Sequence, residues 1–499
     1  LMSLLTEGLA NALQWQVLLV IIIGLLIGIS IGSLPGLTST MGVALILPVT
    51  FGMEAVSGIL LLVGVYFGSV YGGSLTAILI NTPGTPASAA TALDGFALAK
   101  RGLANKALTV STIASTIGGL LSVIVLILVA PQLANFALKF SAPESFALAL
   151  FGLSIVSSIS GKSMSKGLIA GLIGLLIATI GLDPIGGFPR FTFDSMDLMT
   201  GVNFIPVMIG LFAASEAFHS MENLFSSRQV AMKVEKIKLK WQEFKMLIGT
   251  MLRSSGIGTF IGMIPGAGAD ISAFVAYNEA KRFSKNKEEF GKGALKGVAA
   301  PEAANNSVTG GAMIPLLTLG IPGDAVTAVL LGALMVQGLQ PGPMLFETNG
   351  PIVYTLFVGM LLANVFMLFI GLAGIRLFTK VLLIPKAVLI PMIIVLCVVG
   401  SYSLGNNYFD VVVMFVAGVI GYFLKKFEFP ASPIILGLIL GPMMESNFRR
   451  SLVMSEGDIS IFFTRPITVV LLTIAIITLF TPIFKAVLQN KRNGKGELL

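Results

Sequence analysis

The sequence predicts an all-α polytopic membrane protein built from two inverted repeats. Three observations carry that expectation. Of 499 residues, 55% are apolar and 11% charged, less than half the charged fraction of about 25% with which a soluble domain faces water. Apolar runs of about 20 residues, the length that crosses the hydrocarbon, recur from end to end, and mean hydropathy is +0.94. Glycine–proline interruptions in the first half return in the same order in the second. A single soluble globule and a string of soluble domains are both excluded.

The path through the membrane follows from the lysines and arginines, which collect in cytoplasmic loops. Residues 1–15 contain none, which puts the N-terminus in the periplasm. Segments Ala97–Lys106, Gly161–Lys166, Ser220–Lys245, Lys281–Lys296, Arg376–Lys386, Lys425–Lys426 and Lys485–Leu499 fall inside with 26 basic residues. Four remain outside: Lys139, Arg190, Arg449 and Arg450. The net charge of +8 thus records orientation, and nucleic acid is not an expected partner. The lysines of 233–245 alternate with apolar residues, a pattern suited to lipid headgroups.

Taken in order, simple spans are expected near 106–130, 143–160, 166–181, 200–219, 351–375, 387–403, 408–424, 430–444 and 462–484. Stretches 55–96 and 297–337 each change sides once with nearly twice the residues a crossing needs. Stretches 16–52 and 246–280 begin and end on the same side. The result is about 11 crossings plus two re-entrant hairpins, with a cytoplasmic C-terminus. Residues 1–225 form the first repeat, 226–245 a basic cytoplasmic linker and 246–499 the second repeat.

Other signals are bland. Cys397 is the one cysteine, so no intrachain disulfide or cysteine metal cluster can form. His219, the one histidine, lies beside Glu216 and Glu222 and reads as a membrane-interface residue. Residues 1–15 lack a basic n-region, and no secretory signal is expected.

The duplication rests on spacing. Gly28-Ile-Ser-Ile-Gly32-Ser-Leu-Pro35-Gly36 matches Gly258-Thr-Phe-Ile-Gly262-Met-Ile-Pro265-Gly266 in its Gly and Pro positions. Downstream, Gly72-Gly73 precedes Pro83-Gly84, and Gly310-Gly311 precedes Pro322-Gly323 with one extra residue between. The first hairpin is flanked by lysine-free loops and the second by basic ones, so the pair is inverted. Inverted repeats with interrupted segments at corresponding positions mark the binding site of a secondary transporter.

Proline ends a helix and glycine permits the reversal, so Pro35-Gly36 and Pro265-Gly266 are expected to turn each hairpin near its middle. Asn81-Thr82-Pro83-Gly84-Thr85 and Gly320-Ile321-Pro322-Gly323-Asp324 are expected to unwind a helix midway. Each unwinding leaves a half-helix N-terminus with free N–H groups and a positive dipole end. Such ends could hold a carboxylate without a buried arginine. The candidate substrate-binding residues are Pro35, Gly36, Thr38, Ser39, Asn81, Thr82, Pro83, Gly84, Thr85, Ser88, Pro265, Gly266, Gly268, Pro322 and Gly323. Candidate oxygens for a coupling cation, Na⁺ or H⁺, are Asn81, Asp270, Asn305, Asn306 and Asp324, because ionisable residues at membrane depth are functional by default. No other cofactor is expected. The depth of Glu302 is not legible.

These residues also carry a family likeness. Gly32-Ser-Leu-Pro-Gly36, the block from Tyr71 to Pro86 with Ala92-Leu-Asp-Gly95 and Lys100-Arg-Gly102, and Pro301-Glu-Ala-Ala-Asn-Asn306 through Gly323 resemble the large membrane subunit of the tripartite tricarboxylate transporters. The resemblance implies a bacterial inner-membrane symporter for small tricarboxylates or dicarboxylates. It also implies a small four-helix membrane subunit and a periplasmic solute-binding protein as partners. The alternatives are a passive anion channel and, further off, an intramembrane aspartyl protease using Asp270 and Asp324. There is no phosphate-binding P-loop for an ATP-driven pump.

Overall fold

Helix satisfies every backbone N–H and C=O within one segment, which hydrocarbon demands, and helix dominates here. The computed structural model describes residues 2–34, 36–159, 164–183, 185–222, 239–381 and 386–493. Pro35, residues 226–238 of the basic linker, and parts of the basic segments 161–166, 376–386 and 485–499 lie outside the described residues.

The chain begins with α1 (Met2–Ala12), α2 (Trp15–Gly32), α3 (Ser39–Ile46), α4 (Ala55–Ile80), α5 (Ala89–Lys100) and α6 (Ala104–Ala137). Helices α7 (Ala142–Ile159) and α8 (Met164–Ala178) follow. A two-residue antiparallel pair, β1 (Gly181–Leu182) with β2 (Pro189–Arg190), then leads to α9 (Met196–Met199). α10 (Phe204–Ile209) runs through a π turn into α11 (Ser215–Glu222). Next come α12 (Trp241–Gly262), α13 (Gly268–Arg282), α14 (Leu295–Leu319), α15 (Ala325–Val336) and α16 (Met344–Thr348). The chain closes with α17 (Gly350–Val381), α18 (Lys386–Gly405), α19 (Tyr408–Lys426), α20 (Ser432–Met454), α21 (Ile461–Thr464) and α22 (Pro466–Asn493). Among the described residues seven helices are long and apolar enough to cross a membrane: Trp15–Gly32, Ala55–Ile80, Ala104–Ala137, Phe204–Glu222, Gly350–Ile375, Ala387–Gly405 and Tyr408–Lys426.

Local lengths differ from expectation in two places. The 16–52 stretch has unequal limbs, 18 residues in α2 and 8 in α3; α2 alone rises about 27 Å, close to a full hydrocarbon thickness. The 55–96 and 297–337 stretches break after 26 and 25 helical residues, not midway, and each resumes as a 12-residue helix. Glycines inside α4 and α14 do not end those helices; Gly72 and Gly311 lie close against the backbones of neighbouring helices.

Contacts divide the chain into two units, neither of which is a sequence half. One combines Leu1–Leu138 with Met208–Val419, the other Lys139–Val207 with Ile420–Leu499. In the larger unit α2 packs along α4, and α12 along α14, which also lies against α6. Both pairings depend on glycine. A Cβ on Gly28 would lie 2.4 Å from the Val65 carbonyl oxygen, and one on Gly258 2.2 Å from that of Ala304. Seen from the other helix, Gly72 meets the Ile29 carbonyl and Gly311 that of Thr259. The same interhelical contacts therefore occur twice, with α2 shifted by 230 residues and α4 by 239. This register pairs Gly72 with Gly311, not Gly310, and removes the extra residue that the sequence match required.

In the smaller unit α20 packs on α7 and α8, and α22 on α7. Asp183 there accepts N–H bonds from Ile185 and Gly186 and pairs with Arg449 at 2.8 Å, while Arg190 pairs with Glu445 at 2.8 Å. Arg449 and Arg450, expected in a loop, stand on the last turns of α20.

Candidate functional site

The four interruptions come together in pairs, all within the larger unit. In the first half α2 stops at Gly32, the chain turns through Gly36 at φ +96°, and Thr38 caps α3 by accepting the Met41 N–H at 3.2 Å. Thr38 is thus committed to its own helix. Gly84 of the second interruption lies against this turn: its N–H donates to the Gly73 carbonyl at 3.2 Å, and a Cβ on it would sit 2.0 Å from the Gly32 oxygen. In the second half the turn passes through Gly266 at φ +80° and Gly268 at φ +70°, and the Gly266 N–H donates to the Gly323 carbonyl at 2.7 Å. A Cβ on Gly323 would lie 2.7 Å from the Gly262 oxygen. Gly84 and Gly323 therefore do the same work: each lets one interruption touch the other.

Helix ends match as well. α4 closes on Asn81 in the left-handed conformation, φ 55°, and α14 on Gly320, φ 69°. Asn81 occupies a position that glycine fills in the other half, and its side chain is exposed. Beyond these ends, the Thr85 N–H reaches Ser88 Oγ at 3.4 Å, and the Asp324 N–H reaches Thr327 Oγ1 at 2.8 Å. Asp324 Oδ1 accepts in return from Thr327 N–H at 2.8 Å, and Asp324 Oδ2 accepts from the Tyr66 hydroxyl at 2.6 Å. Its carboxylate is engaged at both oxygens, and no bond joins it to Asp270. That residue is exposed on the first turn of α13, without a hydrogen bond among the described residues.

The halves also meet across these interruptions. α13 packs on the turn Pro86–Ser88, and α15 packs on α3. Thr85 Oγ1, which faces Gly73 of α4, and Ser272 Oγ of α13 are buried without a hydrogen-bond partner among the described residues, a state that costs about 1–3 kcal/mol per group unless something pairs with it. Pro35 lies outside the described residues. Ser39, Gly84, Thr85, Ser88, Pro265, Pro322 and Gly323 are buried, Thr82, Pro83, Gly266 and Gly268 partly so, and Gly36 is exposed.

Two acids that the candidate set omitted form heavily bonded polar centres in the larger unit. Glu302, fully buried on α14, accepts from Ser74 (2.5 Å) and Thr91 (2.5 Å) at Oε1 and from Ser111 and Ser115 (3.0 Å each) at Oε2. Asn305 and Asn306 belong to this cluster: Asn305 Nδ2 lies 3.4 Å from Glu302 Oε1 and from the Ala87 carbonyl, and Asn306 Nδ2 donates to Asn305 Oδ1 at 2.7 Å. Asp94, also fully buried, accepts from the N–H groups of Gly291, Gly293 and Ala294 at 2.7–2.9 Å and from the Tyr277 hydroxyl at 2.9 Å. Asp94 fastens α5 of the first half to the loop that starts α14 in the second. Partners some 180–230 residues away hid both roles; the one local signal was a polar run, Pro301 to Asn306, inside an apolar helix.

Interrupted helices that meet in matched pairs around buried polar groups are an arrangement expected of a membrane transport protein. The chain belongs to the tripartite tricarboxylate transporter TctA family, whose sequence model matches residues 18–436. It is thereby a multi-pass membrane component of a three-part transport system, in a family of transporters and not of enzymes. Over 477 residues, 95% of each chain, it is 39% identical to the "uncharacterized 52.8 kDa protein in TAR-I ttuC' 3'region" of Agrobacterium vitis. It is 37% identical over 236 residues to the "uncharacterized protein in TAR-II ttuC' 3'region" of the same organism, covering 47% of this chain and 97% of that one. No solved structure matches it.

Proposed function

We propose that this chain imports small dicarboxylates or tricarboxylates across the bacterial inner membrane by cation-coupled alternating access. It receives substrate from a periplasmic binding protein and works beside a small four-helix membrane subunit. The observation that carries this reading is the twofold set of helix interruptions with repeated contacts, next to two unsatisfied buried hydroxyls. The hydroxyls of Thr85 and Ser272 supply neutral donors that a carboxylate can engage. The alternation of basic and lysine-free loops supports opposite orientations for the two repeats. Asn305 and Asn306, with the acids near them, supply the oxygen-rich surroundings that a coupling cation takes.

Counterflow tests the reading without any gradient. Proteoliposomes holding this chain and its small subunit are loaded with unlabelled citrate or malate and diluted into the radiolabelled compound with the binding protein outside. A transporter gives transient accumulation of label, a channel only equilibration. Thr85→Val is expected to reduce the exchange rate about tenfold, the worth of roughly one hydrogen bond to a charged group. Unchanged exchange in Thr85→Val and Ser272→Ala would remove both hydroxyls from the substrate site.

A further inference from the structure

We propose that Glu302 and the hydroxyls of Ser74, Thr91, Ser111 and Ser115 form the site that takes up the coupling cation. This rests on the transporter reading above. The carboxyl group lies where α4, α5, α6 and α14 meet, and it is fully buried. Every bond it accepts comes from a neutral group: two hydroxyls at each oxygen and the Asn305 amide.

Several titratable groups on the surrounding elements bond elsewhere. Tyr71 of α4 bonds to Thr112, and Asp94 of α5 to Tyr277 of α13 and to backbone N–H groups. Lys106 of α6 pairs with Glu243 of α12, and Arg253 of α12 lies over the Phe283 ring. No described cation bonds to Glu302. A buried negative charge with no counter-charge is costly. One positive charge, a proton on the carboxyl or a Na⁺ among the oxygens, removes that cost.

The hydroxyls suit such a change of state. Each can donate or accept, so the same four side chains solvate a carboxylate, accept from a carboxyl O–H, or turn their lone pairs towards a small hard cation. Four lysines, which only donate, could not do both. A link to the substrate site is also in place. Asn305 Nδ2 lies equally, at 3.4 Å, from Glu302 Oε1 and from the carbonyl of Ala87. Ala87 sits between Thr85 and Ser88 in the turn that follows the first-half interruption. Charge at Glu302 therefore pulls on one side of an amide whose other side holds the substrate turn, and the coupling is reciprocal.

Infrared difference spectra of the full chain in lipid test the site without requiring transport. Bands of Glu302 are assigned by their loss in Glu302→Gln and by their frequency shift in Ser115→Ala, which keeps the carboxyl group and removes one donor. Conversion of its carboxylate bands to a carboxyl C=O band on acidification identifies the ion as a proton. A shift of the carboxylate bands on adding Na⁺ at constant pH identifies sodium. Bands that stay the same at every pH and Na⁺ concentration overturn the proposal and leave Glu302 a fixed structural acid. In proteoliposomes, Glu302→Gln is expected to lose accumulation driven by the H⁺ or Na⁺ gradient; wild-type accumulation in that variant also overturns it. Failure of the wild type to move any carboxylate counts against the proposed function, while the spectra still decide the cation site.

Discussion

Buried acids carry most of the information at the scale of single residues, and each is held by partners chosen for a different task. Glu302 has only neutral donors around it, Asp324 caps a helix and takes the Tyr66 hydroxyl, and Asp183 meets two arginines. Asp183, in the turn after α8, is held below the usual carboxylate range chiefly by the Gly186 N–H, against the opposing effect of burial, with the Ile185 N–H and Arg449 adding to it. A lowered folded-state value means that the network is at full strength above the ordinary carboxylate pKa of about 4 and weakens as pH falls through the lowered value. Amide protection at 185–190, the intrinsic exchange rate divided by the measured one at the same pH, is accordingly expected to be high at neutral pH and to fall on acidification below about pH 4. Asp183→Asn is expected to show low protection at both; a variant as protected as the wild type would contradict this account of the turn. Asp324 was legible as a polar residue at an interruption; its bond from Tyr66 was not, because that residue lies 258 positions away. Asp270, chosen by the same logic, turned up exposed and unbonded.

Helix interruptions were the most legible elements, since glycine and proline disrupt a helix whatever surrounds them. Their placement was less so. Gly72-Gly73 and Gly310-Gly311 look like weak points in sequence, yet both pairs lie inside unbroken helices. Close contact of backbones, Gly72 on Ile29 and Gly311 on Thr259, holds them there and cannot be read from one strand of sequence. The interruptions themselves depend on Gly84 and Gly323. Alanine at Gly84 would press a methyl to 2.0 Å from the Gly32 oxygen, and at Gly323 to 2.7 Å from the Gly262 oxygen. Overpacking of this kind costs about 1–3 kcal/mol, and the target in both cases is backbone, which yields little. Both variants are expected to melt below the wild type in detergent, Gly84→Ala by more than Gly323→Ala. Equal or reversed losses would show that the two interruptions are not packed as equivalents.

The whole molecule has two divisions that do not coincide: two halves by duplication, and two units by packing, each assembled from both halves. Repeated glycine and proline spacing made the first legible in the sequence, and loop charge gave its inverted orientation. The second was hidden because it joins segments such as 139–207 and 420–499, whose helices read as ordinary spans. The function proposed for the chain is uptake of an organic carboxylate with a cation, and gradient-driven accumulation tests it most directly. Proteoliposomes containing this chain and its small subunit would receive radiolabelled citrate and a set of dicarboxylates, with the binding protein outside and an inward H⁺ or Na⁺ gradient imposed. Accumulation above equilibrium that needs the binding protein and one of the two gradients is the predicted result. Equilibration that ignores both gradients, or no flux of any carboxylate, would contradict it.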